Sequence, residues 1–371
     1  MALHLKHKFS SPLYVTKRMG FSKKKYWLIR AGGILVAFLV AGIVCTILAP
    51  GSFGTFYVEL GRGCFDFTDI SSIIDLLVNF SILLLIATIL TPAFKMRFWN
   101  IGAEGQILIG CLAAAGVAKF MPRSVDNGVV LFICFFAAVG ASTTWSLVPA
   151  IFKAFFNTNE TLFTLMLNYV AAISSSMAIS LWIKNGSQSF GVLSNGVMPA
   201  IFNNTGTLVV FYALLIFIGM YLYIERSKHG YELSVLGQSV ETARYIGINV
   251  KAVTIRTMAI SGILFGAVAF FLVCGVHQTF SATLVGGKGF TGVLIAWLGH
   301  FHPLEIALFS FLAAVMERGT TTAASAVNIS SAQFSAICTG AFFFIIIACE
   351  FFSQYKIRIH HEKKQETEAK Q

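Results

Sequence analysis

Charge is what this chain has least of. Asp, Glu, Lys and Arg make up 12% of its 371 residues, about half the ~25% of soluble domains, which is too little to cover a soluble globule of this length. Hydrophobic residues make up 56% and mean hydropathy is +0.77. That balance excludes a water-soluble enzyme and points to a polytopic membrane protein. Paired metal-ligand spacings are also missing. The seven cysteines, Cys45, Cys64, Cys111, Cys134, Cys274, Cys338 and Cys349, are scattered, mostly inside apolar runs and without CxxC or Cys/His spacing, and read as small apolar core residues. No HExxH, GxSxG or suitably placed carboxylate pair is present. Gly287 and Lys288 lack the earlier glycine that a phosphate-binding GxxxxGK loop requires. His277, His300 and His302 stand isolated and read as loop or interfacial residues rather than metal ligands. The longest internal polar loop, residues 225–256, is too short for a catalytic domain. An enzyme is therefore not expected.

What is present is a series of apolar runs with basic residues between them. Spans are expected near residues 31–48, 73–94, 101–121, 128–152, 161–183, 207–224, 257–276, 289–298, 305–315 and 331–352. The first follows Lys17, Arg18, Lys23, Lys24, Lys25 and Arg30 and reads as an uncleaved span rather than a signal peptide, since its apolar run is of full spanning length. The eighth is short and reads as a half-helix reached through a glycine-rich segment. The net charge of +11 follows the same pattern. With the amino terminus inside, inner segments carry 21 of the 27 Lys and Arg, leaving Arg62, Lys119, Arg123, Lys184, Lys288 and Arg318 outside or at span ends. The positive-inside rule thus explains the charge better than nucleic-acid binding does, and it places both termini in the cytoplasm. The expected layout is a basic cytoplasmic segment at 1–30, a transmembrane domain at 31–352 and a cytoplasmic tail at 353–371.

Two glycine-rich stretches stand out, at 102–105 and 286–292. They begin the third and eighth spans, an odd offset that gives them opposite orientations, as in inverted repeats around a central site. The alternative is that the glycines only permit close helix packing. Around the first lie Asn100, Ile101, Gly102, Ala103, Glu104, Gly105 and Gln106. A carboxylate there is costly in a span and suggests a solute path. The charge map places it at the cytoplasmic end, where Glu104 would shape an inner gate or bind a helix amino terminus. In the 225–256 loop, Ser239 can cap a short helix, with Glu241 in its first turn, Arg244 three residues later and Gly247 ending it. Val240, Ala243 and Ile246 then share one apolar face, suited to docking on another protein or to lying at the headgroups.

The residues 100–106, Asn159, Glu160 and Thr161 with residues 164–169, residues 237–247 followed by Ser261 and Gly262, and residues 289–293 through His302 and Pro303 together resemble the permeases of ATP-binding-cassette (ABC) importers for nucleosides and simple sugars, of the ribose-permease-like kind. The resemblance implies an all-α fold of about ten transmembrane helices with an inverted repeat in the cytoplasmic (inner) membrane. It implies a second permease, identical or different, an ATP-binding subunit and an extracytoplasmic substrate-binding protein as partners. No cofactor is expected on this chain, with ATP and Mg on the partner ATPase. Ser239, Glu241, Ala243, Arg244, Tyr245 and Gly247 would form the segment coupling to the ATPase. The chain departs from the commoner pattern at residues 241–244 and at Thr291.

Asn79, Asn168 and Ser261 are polar groups within apolar spans and must face another helix or a watery path. With Asn100, Glu104, Gln106 and Phe290 they are the candidates for pathway or gate. Interhelical hydrogen bonding is the alternative for the polar ones, and packing for Phe290 and Trp297. Nucleosides are the expected solute, with simple sugars or riboflavin as alternatives and an ion-coupled secondary transporter as the alternative class.

Overall fold

The structure, a computed structural model, describes residues 13–17, 23–48, 53–65, 70–183, 186–201, 204–328 and 330–359. The first part of the basic amino-terminal segment and residues 360–371 of the tail lie outside the described residues. Among the described residues the helices are joined by loops and accompanied by one two-stranded ribbon, in which β1 (Leu13–Lys17) pairs antiparallel with β2 (Tyr355–Ile359). This ribbon puts both ends of the fold on one side, called here the terminal side.

From β1 the chain enters α1 (Lys23–Leu48), then the short α2 (Phe53–Phe65) and α3 (Ile70–Lys95). Next come α4 (Ala103–Phe120), α5 (Asn127–Phe156) and α6 (Glu160–Trp182). After α7 (Thr207–Arg226), two helices lie on the terminal side, α8 (Lys228–Gln238) and α9 (Val240–Tyr245). The long α10 (Val250–Phe270) continues through a π-helical turn, Phe271–His277. Last are α11 (Lys288–Leu298), α12 (Pro303–Ala326) and α13 (Ser331–Gln354). Local chemistry fixes many of the starts. Asp126, Asn159, Ser227, Ser239 and Asn249 each turn a side-chain oxygen onto a free amide of the turn that follows. Pro303 takes the first position of α12, where its missing N–H costs nothing.

Among the described residues, eight helices are long and apolar enough to cross a membrane. The expected eighth and ninth spans, α11 and α12, are not among them: α11 has 11 residues, and α12 carries Glu305, Glu317 and Arg318. The helix α12 also runs well past the expected end at residue 315, to Ala326.

The helix neighbours follow an exchange. The helix α3 packs on α11 and α12, while α10 packs on α4 and α5, and α3 meets α10 at the centre. Shifting α3, α4 and α5 to α10, α11 and α12 maps one set of neighbours on the other, which supports the inverted repeat expected from the glycine-rich stretches, although α6 packs on α4 whereas α13 packs on α12. The relation stops at the periphery, since α1 packs on α13 whereas α7 packs on α3.

A buried hub closes the terminal side. Arg30, 1% exposed, holds Glu305 at 2.8 Å and Glu350 at 3.0 Å and donates to the Leu298 carbonyl at 3.1 Å. One guanidinium thus ties α1 to α11, α12 and α13. His300 stands in the same hub, 3.4 Å from Glu350, and this carboxylate holds its imidazole above the usual histidine range against the opposing effect of burial. A paired, hydrogen-bonded charge is what makes such burial tolerable.

Candidate functional site

The centre of the molecule is a clasp built on the start of α4. Gly105 lies against Asn168 and Ala171 of α6. Asn168 is eight residues past the terminal-side start of α6, about 12 Å along its axis at 1.5 Å per residue. The stretch 100–106 therefore sits inside the helix layer and not at its terminal-side surface, as the charge map suggested. Charge counting assigns loops to sides, but it does not say how far a chain re-enters before its next helix begins.

Helix α11 also starts in this interior and runs about 16 Å back toward the terminal side. The amino termini of α4 and α11 thus meet and their helices diverge. Glu104 joins them: its Oε1 accepts the Gly287 N–H at 2.8 Å and its Oε2 the Gly289 N–H at 2.7 Å. Free amides and the positive end of a helix dipole suit a carboxylate, which here replaces the solvation lost on burial. Gly287 has φ +81°, and a Cβ on Gly289 would lie 2.4 Å from the Glu104 nitrogen, so both glycines are required by geometry.

The other polar residues of the stretch hold the clasp in place. Asn168 accepts from the Gly105 N–H at 2.9 Å and donates to the Ile101 carbonyl at 2.9 Å. The Thr164 hydroxyl accepts from the Ile101 N–H at 3.2 Å. Asn100, fully buried, accepts from the Gly102 N–H at 3.0 Å and from Gln106 at 3.2 Å. Ser261 of α10 donates to the Ile89 carbonyl of α3 at 3.2 Å. Asn100, Gln106, Asn168 and Ser261 therefore all have interhelical or local partners. Phe290 and Trp297 are part-exposed at the protomer surface.

Away from the terminal side, a cleft of about 260 Å³ opens between α3, the end of the π-helical turn, α11 and α12. Asn79 is here, apart from the other pathway candidates. Lys288 donates to Asn79 Oδ1 at 2.8 Å and pairs with Glu317, while Asn79 donates to Glu317 at 3.2 Å. Beside them Arg318 pairs with Asp75 at 3.1 Å, and Asn204 donates to Asp75 at 2.8 Å. Sequence reasoning missed Asp75, Lys288, Glu317, Arg318 and Thr321. A signal was available: an apolar run of about ten residues is too short for a span, and extending the ninth to about twenty residues brings Glu317 and Arg318 inside it.

On the terminal side the α9 segment has the expected construction. Ser239 accepts from the Thr242 N–H at 3.2 Å, Glu241 and Arg244 are 3.7 Å apart, and Gly247 ends the helix with φ +85°. The expected apolar face is divided. Ala243 is fully buried in a cluster with Leu233, Leu236, Met96 and Phe98 of the same chain, while Val240 and Ile246 remain exposed. The free surface is formed by these two together with Glu241, Thr242, Arg244 and Tyr245, the last 92% exposed. Met96 and Phe98 lead directly into residues 100–106, and Gly237 of α8 lies where a Cβ would meet the Lys95 carbonyl at 1.9 Å. The α8–α9 pair is thus packed on the turn that feeds the clasp.

Comparison with known proteins gives consistent results. The family model described as branched-chain amino acid transport system / permease component matches residues 72–347. The glucose ABC transporter permease protein of Haloferax volcanii is 25% identical over 352 residues, covering 89% of this chain and 90% of that protein. The guanosine ABC transporter permease protein of Bacillus subtilis is 27% identical over 273 residues, 70% of this chain and 76% of its own. A nucleoside ABC transporter permease protein of Lactococcus lactis is 27% identical over 255 residues, 64% and 69% of the two chains. No solved structure matches the chain.

Proposed function

This chain belongs to the family of branched-chain amino acid transport system permease components, and from that premise we propose that it carries nucleosides inward, powered by ATP bound with Mg on a partner subunit. It is the multi-pass membrane permease of an ABC importer, a family whose members work with an ATP-binding subunit and a substrate-binding protein. Family membership sets aside the ion-coupled reading. The terminal side is read as cytoplasmic because the basic segments lie there, and residues 278–298 together make the eighth of ten crossings. A second permease, the same chain or another, completes the pathway. This chain's own part is to move solute and to receive the push from the ATPase, with no ATP site of its own.

The observation that carries this reading is the build of α9. It is capped by Ser239, seated on its own chain through Ala243, and turned so that Tyr245 and the Glu241–Arg244 pair face away. A partner pressing that surface loads Met96 and Phe98, and through them the clasp at Glu104, where α4 and α11 part. Such a two-state rearrangement of helix bundles around a central site is the general form of alternating access.

Nucleosides are favoured because permeases named for guanosine and for nucleosides are among the relatives, in agreement with the Leu165, Met166, Leu167, Asn168, Tyr169 sequence. The glucose permease relative keeps a simple sugar as the second reading. The test uses proteoliposomes holding this permease with its ATP-binding subunit and binding protein. Labelled guanosine should accumulate only with ATP, and R244E/Y245A should lower uptake at least about tenfold, the loss expected when an exposed aromatic and cation anchor is removed. Import of glucose alone would transfer the assignment to sugars. Unchanged uptake in the double variant, or a permease that purifies without any ATP-binding subunit, would overturn the α9 reading.

A further inference from the structure

Residues 287–289 face two ways. Their backbone amides at Gly287 and Gly289 are held by Glu104 on one side, while the Lys288 side chain between them reaches into the cleft to Asn79 and Glu317. Anything that engages Lys288 therefore bears on the start of α11 and on the clasp. The cleft itself is charge-balanced, with the carboxylates of Asp75 and Glu317 set against the cations of Arg318 and Lys288. Every one of these groups is partnered by a neighbour, and the cluster carries no surplus charge to attract an ion. It does offer closely spaced acceptors and donors. Carboxylates accept from paired hydroxyls, and the ammonium, guanidinium and amide groups donate to carbonyl oxygens and ring nitrogens.

We propose that this cleft, with Asn79, Lys288 and Glu317 as its contact residues, is a transit site for an uncharged, hydroxyl-bearing solute, whose arrival is passed through Lys288 to the Glu104 clasp. The proposal rests on the importer reading above and adds the place and the charge class of the solute. Its volume, about 260 Å³, suits one small molecule rather than a peptide or lipid. A net-anionic solute would meet Asp75 and Glu317 without a free cation to offset them. An uncharged one exchanges hydrogen bonds within the cluster at little electrostatic cost.

The test is solute protection in the full complex of permease, ATP-binding subunit and binding protein. Thr321, which lines the cleft, is changed to Cys, and its reaction with a membrane-impermeant maleimide is timed in the absence of ATP, with the unsubstituted chain as background. The probes are guanosine, glucose and guanosine monophosphate. At about twice its dissociation constant, guanosine should slow labelling about threefold by simple occupancy, and the monophosphate should leave it unchanged. Lys288→Met should abolish this protection and lower uptake about tenfold, the loss of one charge-assisted hydrogen bond. Glu317→Gln, nearly the same shape, should do the same, and co-purification with the ATP-binding subunit shows that both variants still assemble. Guanosine import with no protection of T321C overturns the transit site. Equal protection by the monophosphate overturns the uncharged class. Import and protection by glucose alone leave the cleft standing and remove the nucleoside reading.

Discussion

Where α10 crosses α5, Gly262 and Gly266 bring its backbone so near that a Cβ would lie 2.7 Å from the Thr143 Cα and 2.4 Å from the Val139 Cα, and Ser146 donates to the Met258 carbonyl at 2.7 Å. Where α3 meets α12, the pair related to it by the inverted repeat, the facing residues include Asn79, Asp75, Glu317 and Arg318, and a cleft remains between the helices. The same kind of helix crossing is thus built once as a seam and once as an opening. Without a hydrophobic drive between helices in lipid, contact depends on how closely backbones approach, and glycine and serine permit that approach. Long charged side chains prevent it, and they demand partners that hold the helices apart. The opening faces away from the terminal side, and the seam reaches to it.

The largest effect is expected at the seam. A leucine at Gly266 must displace the α5 backbone, since its Cβ alone would overlap Val139. G266L should cost about 3 kcal/mol or more, seen as loss of folded protein in thermal-shift and yield measurements, whereas T321V in the cleft should change the melting temperature little. Equal tolerance at both positions would remove the distinction between seam and cleft.

Between the two stands the Glu104 clasp, and its loss should be felt in function more than in assembly. Glu104→Ala leaves the Gly287 and Gly289 amides without their acceptor, at about 1–3 kcal/mol for each buried donor. Uptake should fall by an order of magnitude or more while the ATP-binding subunit still co-purifies, and E104Q, which keeps one acceptor oxygen, should retain more activity. If E104A transports as well as the unsubstituted chain, the clasp is dispensable.

The smallest effect concerns how α10, the seam helix, is tethered. Arg256 near its start pairs with Glu232 of α8 at 2.7 Å, and this hydrogen bond holds the Glu232 carboxyl below the usual carboxylate range. A depressed carboxylate stabilises the fold above its ordinary pKa and loses that contribution as pH falls through its lowered value. Thermal stability of the unsubstituted chain should therefore fall more steeply on acidification than that of Glu232→Gln, by less than about 1 kcal/mol for a part-exposed pair. Parallel acid profiles would show that the pair does not tether α10.

Much of the architecture is already legible in the chain's own order of residues. The membrane class follows from scarce charge, and the short helix α9 from its cap Ser239, Glu241 and the closing Gly247, because hydropathy and capping act over a few neighbouring residues. What only the tertiary structure decided is which way these pieces face and how deep they lie. Glu104 meets amides 183 and 185 positions away, Lys288 finds Asn79 across 209, and Ala243 turns inward because Met96 and Phe98 wait there. A carboxylate or an alanine carries no local mark of its distant partner. Its role is set only when packed backbones bring that partner within hydrogen-bonding or van der Waals reach, which is why the stretch 100–106 announced a site while its position and partners came from the fold.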